Sequence, residues 1–226
     1  MLKYLACAAV ALALTGLPAS AANDGSADGT ATYDLLFKEG TLNTVGMDQK
    51  LLYERTVTNT LVTDAAARDT GEIELSFEDS TPPQASLRFL RGEKHRNLGV
   101  FPRSVGNPII MYFVETTVRD MAESAGGSPF YIRNRVKEAL VTPTEVQAGE
   151  ATFQGRSVKT QVVTLHPFAD DPNQDRMKGF GDLALTITMS DEVPGWYQSL
   201  EATASGADGP VYSSLMRFEA MEESGQ

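Results

Sequence analysis

Apolar residues alternate with polar ones over most of this chain, and in the segment 107–140 the alternation gives way to a spacing of three and four. A period of two belongs to half-buried strands and a period near 3.6 to helices, so the chain must combine a sheet with a helical insertion. Ile73, Leu75 and Phe77 alternate with Glu72, Glu74, Ser76 and Glu78, which reads as a strand with an acidic outer face. Leu51, Tyr53, Arg55, Val57 and Asn59 alternate with Leu52, Glu54, Thr56 and Thr58. The same pattern is expected to begin at Thr32, Tyr33, Leu35 and Phe37, and to resume over 86–90 after Pro82-Pro83. Further along, 151–153 and 157–165 read as a hairpin about Gln154-Gly155-Arg156, where glycine suits a positive φ. The segments 180–189, 196–204 and 211–220 complete a count of eight or nine strands.

The central insertion carries two matching start signals. Asn107-Pro108 and Ser128-Pro129 each place a capping residue before a proline suited to a first helical turn. Ile110, Phe113, Val114, Val118 and Met121 then recur at helical spacing, and Gly126-Gly127 ends that helix. Phe130, Ile132, Val136, Ala139 and Leu140 are the apolar content of the second. The predicted class is α+β: a curved antiparallel sheet or partly open β-barrel, with a helical hairpin at 107–140 over one face or mouth. One β-rich domain over 31–221 is expected, since neither β half has enough strands to close its own core.

The first residues, MLKYLACAAVALALTGLPASAA, read as a secretory signal peptide. Lys3 supplies the charge, an apolar run of about ten residues follows, and Ala19-Ser20-Ala21 is a small-x-small cleavage site. The expectation is a signal at 1–21, a flexible polar start at 22–30, and export to a periplasm. The apolar run is short of the roughly 20 residues that span a bilayer, and no later stretch is apolar enough, so no transmembrane segment is expected after cleavage. Cys7 is the only cysteine, and its removal leaves a domain held together by its core alone.

The formal net charge of −11 argues against a nucleic-acid partner. Charge is uneven, however. From Arg88 to Lys137 there are nine Lys or Arg against four Asp or Glu. Arg91, Lys94 and Arg96 share one turn, and Arg133, Arg135 and Lys137 lie on the second predicted helix, near Tyr112, Phe113, Phe130 and Tyr131. These last seven form a candidate ligand-binding set: aromatics for an apolar part, cations for an anionic one. Ordinary solvated helix faces and core aromatics are the competing reading.

Catalytic signals are sparse. There is no Gly-x-Ser-x-Gly elbow, no phosphate-binding glycine loop, and no histidine or cysteine spacing suited to zinc. Glu72 and Glu74 share a strand face as a glycosidase pair could, although a solvated outer face is the favoured reading. In the loop 170–182 (DDPNQDRMKGFGD), Asp171, Asn173, Asp175 and Asp182 stand at first, third, fifth and twelfth places, a calcium-loop spacing. Arg176 at the sixth place and the lack of flanking helices depart from that pattern, and a plain polar loop is the alternative.

The β–helical hairpin–β order after a signal peptide, with the closing segment Thr186-Ile187-Thr188-Met189-Ser190-Asp191-Glu192-Val193-Pro194, resembles periplasmic β-rich domains of unknown function related in shape to lipoprotein-localisation carriers. Those carriers begin with a helix under the sheet, whereas this mature chain begins with a polar tail. The resemblance implies an open barrel able to hold acyl chains. Together these features point to a non-catalytic periplasmic protein that binds a hydrophobic or amphipathic ligand, such as a lipid, or a cell-envelope protein partner. A carboxylate-based hydrolase of envelope polymers and a structural or assembly partner are the alternatives.

Overall fold

The computed structural model describes residues 29–224. The signal peptide expected at 1–21, with Cys7, lies outside the described residues. The elements run α1 (Gly29–Leu36), β1 (Gln49–Asn59), α2 (Thr63–Asp69), β2 (Gly71–Glu78), β3 (Gln84–Arg91), β4 (Lys94–Pro102), α3 (Ile109–Ala125), α4 (Pro129–Leu140), β5 (Gln147–Phe153), β6 (Arg156–Leu165), β7 (Ala184–Met189), β8 (Tyr197–Gly206) and β9 (Gly209–Glu223). Nine strands form one open antiparallel sheet in the order β4-β3-β2-β1-β9-β8-β7-β6-β5.

This order explains the place of the helices. Two meanders run outward from the central β1–β9 pair, so β4 and β5, neighbours in sequence, stand at opposite edges. Eight strand spacings separate those edges, roughly 38 Å if the sheet were flat. The chain joins them through α3 and α4, which lie over the inner face on the way. No helix among the described residues is long and apolar enough to cross a membrane.

The register puts Tyr53, Ile73, Phe89 and Phe218 on the inner face, with Met216, Leu200, Ile187 and Val163 in the next row. All eight are buried. α3 closes over them with Ile109, Ile110, Phe113, Val118 and Met121, and α4 with Ile132, Val136 and Leu140. Both predicted helix starts form. The Asn107 side chain accepts from Ile109 N at 3.1 Å and donates to the Tyr53 hydroxyl and to Gly195 O, each at 2.8 Å. Ser128 is extended and Pro129 opens α4. The predicted β5–β6 turn also forms, with positive φ at Gln154 and Gly155.

The buried face of α3 is not simply apolar. Thr116, Thr117, Asp120 and Ser124 are buried on it as well. Beneath them, Arg55 occupies an inner-face position in the middle of β1 and is fully buried. Its guanidinium lies 2.9 Å from Asp120 Oδ2 and donates to Ser214 Oγ at 3.3 Å and to the Tyr112 hydroxyl at 3.5 Å. The Tyr212 hydroxyl donates to the same Asp120 oxygen at 2.8 Å, while Arg119 donates to the other oxygen at 2.7 Å. Burial, with the neighbouring Asp120 carboxylate, pushes the Tyr212 phenol above its ordinary pKa. One turn on, Asn59 Nδ2 donates to Ser124 Oγ at 2.7 Å.

Three expectations need correction. Lys94 and Arg96 do not share a turn with Arg91 but belong to strand β4, paired with the end of β3. The segment opening at Thr32 is a helix, α1, not a strand, so helix also reaches into the predicted flexible start at Gly29 and Thr30. Its buried residues, Gly29, Thr32 and Leu36, recur at three and four. A Cβ on Gly29 would stand 1.9 Å from Val141 O, so glycine permits the close approach of α1 to the end of α4. The short α2 interrupts what reads as continuous β sequence. The Asn59 side chain turns the chain there by accepting from Leu61 N and Val62 N.

Breaking the buried pair strands a charge. Arg55→Met is therefore expected to lower unfolding free energy by about 3–5 kcal/mol, read from urea unfolding. The double variant Arg55→Met/Asp120→Leu should lose less than the two single losses added together. Strict additivity would remove the pair from its structural role.

Candidate functional site

The α3–α4 turn is built from residues that cannot close it tightly. Gly126 and Gly127 both take positive φ, and nothing stands within 4 Å of where their side chains would be. Between this turn and the 173–177 segment lies an open groove of about 440 Å³. Met121, Ala125, Tyr131, Ile132 and Met177 give it apolar walls, and Asn173 and Arg176 give it polar ones. Arg176 is exposed and has no carboxylate partner among the described residues. Phe130, in the first turn of α4, is 75% exposed.

A buried carboxylate ties α4 down beside this groove. Asp171 accepts from the Tyr131 hydroxyl and from its own turn at Asn173 N, 2.9 Å away, and Arg135 Nε stands 3.2 Å from Oδ2. Burial alone would raise this carboxyl. The hydrogen bonds from Tyr131 and Asn173, with the Arg135 charge, outweigh burial and hold it below the usual carboxylate range. Beyond the tie lies a second groove of about 550 Å³, where Arg135 and His166 face Glu138, Glu145 and Asp170.

The seven candidate ligand residues separate into distinct roles. Phe113 is fully buried in the layer between helix and sheet, so it is core. Tyr112 turns inward to Arg55. Arg133 binds Glu115 at 2.7 Å, and that contact holds the Glu115 carboxyl below its ordinary pKa. Arg135 binds Glu138 at 2.7 Å as well as Asp171. Lys137 is exposed and lies in an electrostatic relation to Glu115. Phe130 and Tyr131 are outward-facing, and of these Tyr131 reaches the groove. The basic face of α4 is thus largely neutralised within the molecule. Arg176, expected only as a departure from the calcium spacing, and Met177, for which the sequence carries no signal, both line the groove.

The calcium spacing does not gather its four residues. Two short 3-10 turns, Gln174–Arg176 and Phe180–Asp182, fold the loop so that Asp171 and Asn173 lie against α4. Asp175 and Asp182 instead flank another depression with Gly179 and Gly206. Among the described residues no group of three or more His, Cys, Asp or Glu is placed to hold a metal ion. Glu72 and Glu74 do share one face of β2, as the alternation predicts, but in different surroundings. Glu74 is buried and held by Arg88 Nε at 3.0 Å and Lys50 at 3.4 Å. Glu72 is raised by burial and then by Glu222.

No family model matches the chain. No curated protein matches it in sequence. Among solved structures it is similar to the Mycobacterium tuberculosis lipoprotein LppX at 12% identity and a TM-score of 0.39, over 87% of this chain and 98% of that one. It is also similar to a β-barrel-like protein of a domain of unknown function, DUF1849, from Brucella abortus, at 10% identity and a TM-score of 0.20, over 77% and 97%.

Asp171 provides a pH test of the tie. A carboxyl with a lowered folded pKa contributes stability that is full above its unfolded value, near 3.9, and is lost as pH falls through the folded one. Asp171→Asn should therefore flatten the fall in stability below about pH 4, compared by urea unfolding at pH 7 and pH 3. An unchanged slope would mean that the tie adds nothing.

Proposed function

We propose that this chain is an exported, non-catalytic protein that binds an amphipathic ligand, with an acyl part in the α3–α4 groove and an anionic head at Arg176. The groove carries this reading. Its volume of about 440 Å³ falls within the range of small-molecule sites, and its walls are mostly apolar with few polar groups. Arg176 supplies a cation without an internal carboxylate, unlike Arg133 and Arg135. The inner face of the sheet is filled by side chains such as Tyr53, Met216 and the overlying Phe113, all fully buried. The site therefore lies at the end of the helical hairpin, not in a barrel interior. Export rests on the signal-like leader.

Displacement of a fluorescent fatty acid tests this reading. Ala125→Trp places an indole in the groove and should weaken binding at least tenfold with the far-UV spectrum unchanged. Arg176→Glu should weaken a fatty acid more than the matching fatty alcohol. No binding by the native protein, or equal binding by Ala125→Trp, would overturn the proposal.

A further inference from the structure

The open edge at β4 carries a charge arrangement found on no other strand of the sheet. β4 pairs with β3 alone, so the backbone groups on its outer side have no neighbouring strand. In the register Arg91 faces Lys94 and Phe89 faces Arg96, which puts the three cations on one side of the hairpin. All three are exposed, and none has a carboxylate within 4 Å among the described residues. This differs from Arg55, Arg68, Arg88, Arg119, Arg133 and Arg135, which all make ion pairs. The Arg96 guanidinium rests 5.4 Å from the Phe89 ring, and Arg91 donates to Arg68 O at 3.4 Å, so both side chains are partly positioned. His95 and Asn97 occupy the other side of the same strand.

Cations along an edge strand repel another basic strand and deter self-pairing. The same charges favour a strand with carboxylates at every second residue, because directly opposed side chains interact across a ladder. A membrane surface would use the cations but leave the edge hydrogen-bonding groups unmatched. An added strand matches both. The other edge, β5, has a single carboxylate, Glu150, which is engaged by Ser157, so a second copy offers no alternating acids there.

We propose that β4 is a docking edge for an acidic, extended segment of a partner protein, which adds as a tenth strand with carboxylates opposite Lys94 and Arg96. The test uses the full chain and a blocked heptapeptide alternating glutamate with valine, followed by fluorescence anisotropy. The native protein should bind it, and the double substitution K94E/R96E should weaken binding at least tenfold with Tm unchanged. A peptide N-methylated at alternate backbone nitrogens, with the same charge, should also lose at least tenfold. Equal binding of the N-methylated peptide would overturn strand addition, and so would no binding of either peptide. Capture by phosphatidylglycerol vesicles in place of the peptide, abolished by K94E/R96E, would overturn it in favour of a lipid surface. Ala125→Trp should leave peptide binding unchanged, which separates this edge from the groove.

Discussion

A guanidinium buried on the inner face of a central strand must be surrounded by acceptors, because an unpaired charge in that environment is far too costly to keep. Arg55 meets this demand through Asp120 and Tyr112 on α3 and Ser214 on β9. Asp120 in turn receives the Tyr212 hydroxyl, so α3 is bound to β1 and β9 at one point. Those two strands join the meanders into a single sheet. The contact therefore fixes the long helix against the place where the two halves of the sheet meet. Apolar packing drives α3 onto the sheet but tolerates sliding, whereas a hydrogen-bonded ion pair admits one register.

The network extends toward the hairpin that bears β4. Arg119 reaches both Asp120 and Asp69, and Arg68 joins Asp69 to Glu123 on α3. Asp69 stays below its ordinary pKa despite burial, because Arg68 and Arg119 surround it. The short α2 is therefore fastened to α3 by charge. Past α2, Glu74 on β2 pairs with Lys50 and Arg88, whereas Arg91, Lys94 and Arg96 make no ion pair among the described residues. Charge is matched where α2 meets α3 and left unmatched along β4.

Much of this architecture is legible in the sequence, for physical reasons that differ by element. The two helix starts are local chemistry, a cap residue followed by proline, and both form at the expected places. The Gln154-Gly155 turn is also local. α1 is harder to read because Thr32, Leu35 and Phe37 suit either period, and its helix depends on Gly29 fitting against Val141 over a long sequence separation. Arg55 and Asn59 are visible in the sequence as polar residues in phase with Leu51, Tyr53 and Val57. That phase is itself a sign of an inner-face polar network, but it does not name Asp120 or Tyr212 as partners. The α4 cations and the loop acids mislead for a related reason. Charge counted along the sequence does not show that Glu115 returns from another helix to meet Arg133, or that Asp171 turns under α4 to meet Tyr131.

The order of the strands gives the molecule two kinds of surface, helix ends and sheet edges. A nine-strand sheet whose edges are joined by a helical hairpin has its inner face covered, so the proposed ligand site falls outside that face. The groove opens at the Gly126-Gly127 turn, where missing side chains leave space between α3, α4 and the 173–177 segment. Because the covering runs across the face, it adds no strand to β4 or β5, although Gly99 N and Thr152 O find side-chain partners in Asn97 and Gln198. A closed barrel would have no such edges and would hold a ligand within its strands. An open sheet with a filled inner face leaves helix ends and strand edges for the proposed ligand and partner contacts. The unpaired cations at Arg176 and along β4 fall at those two places.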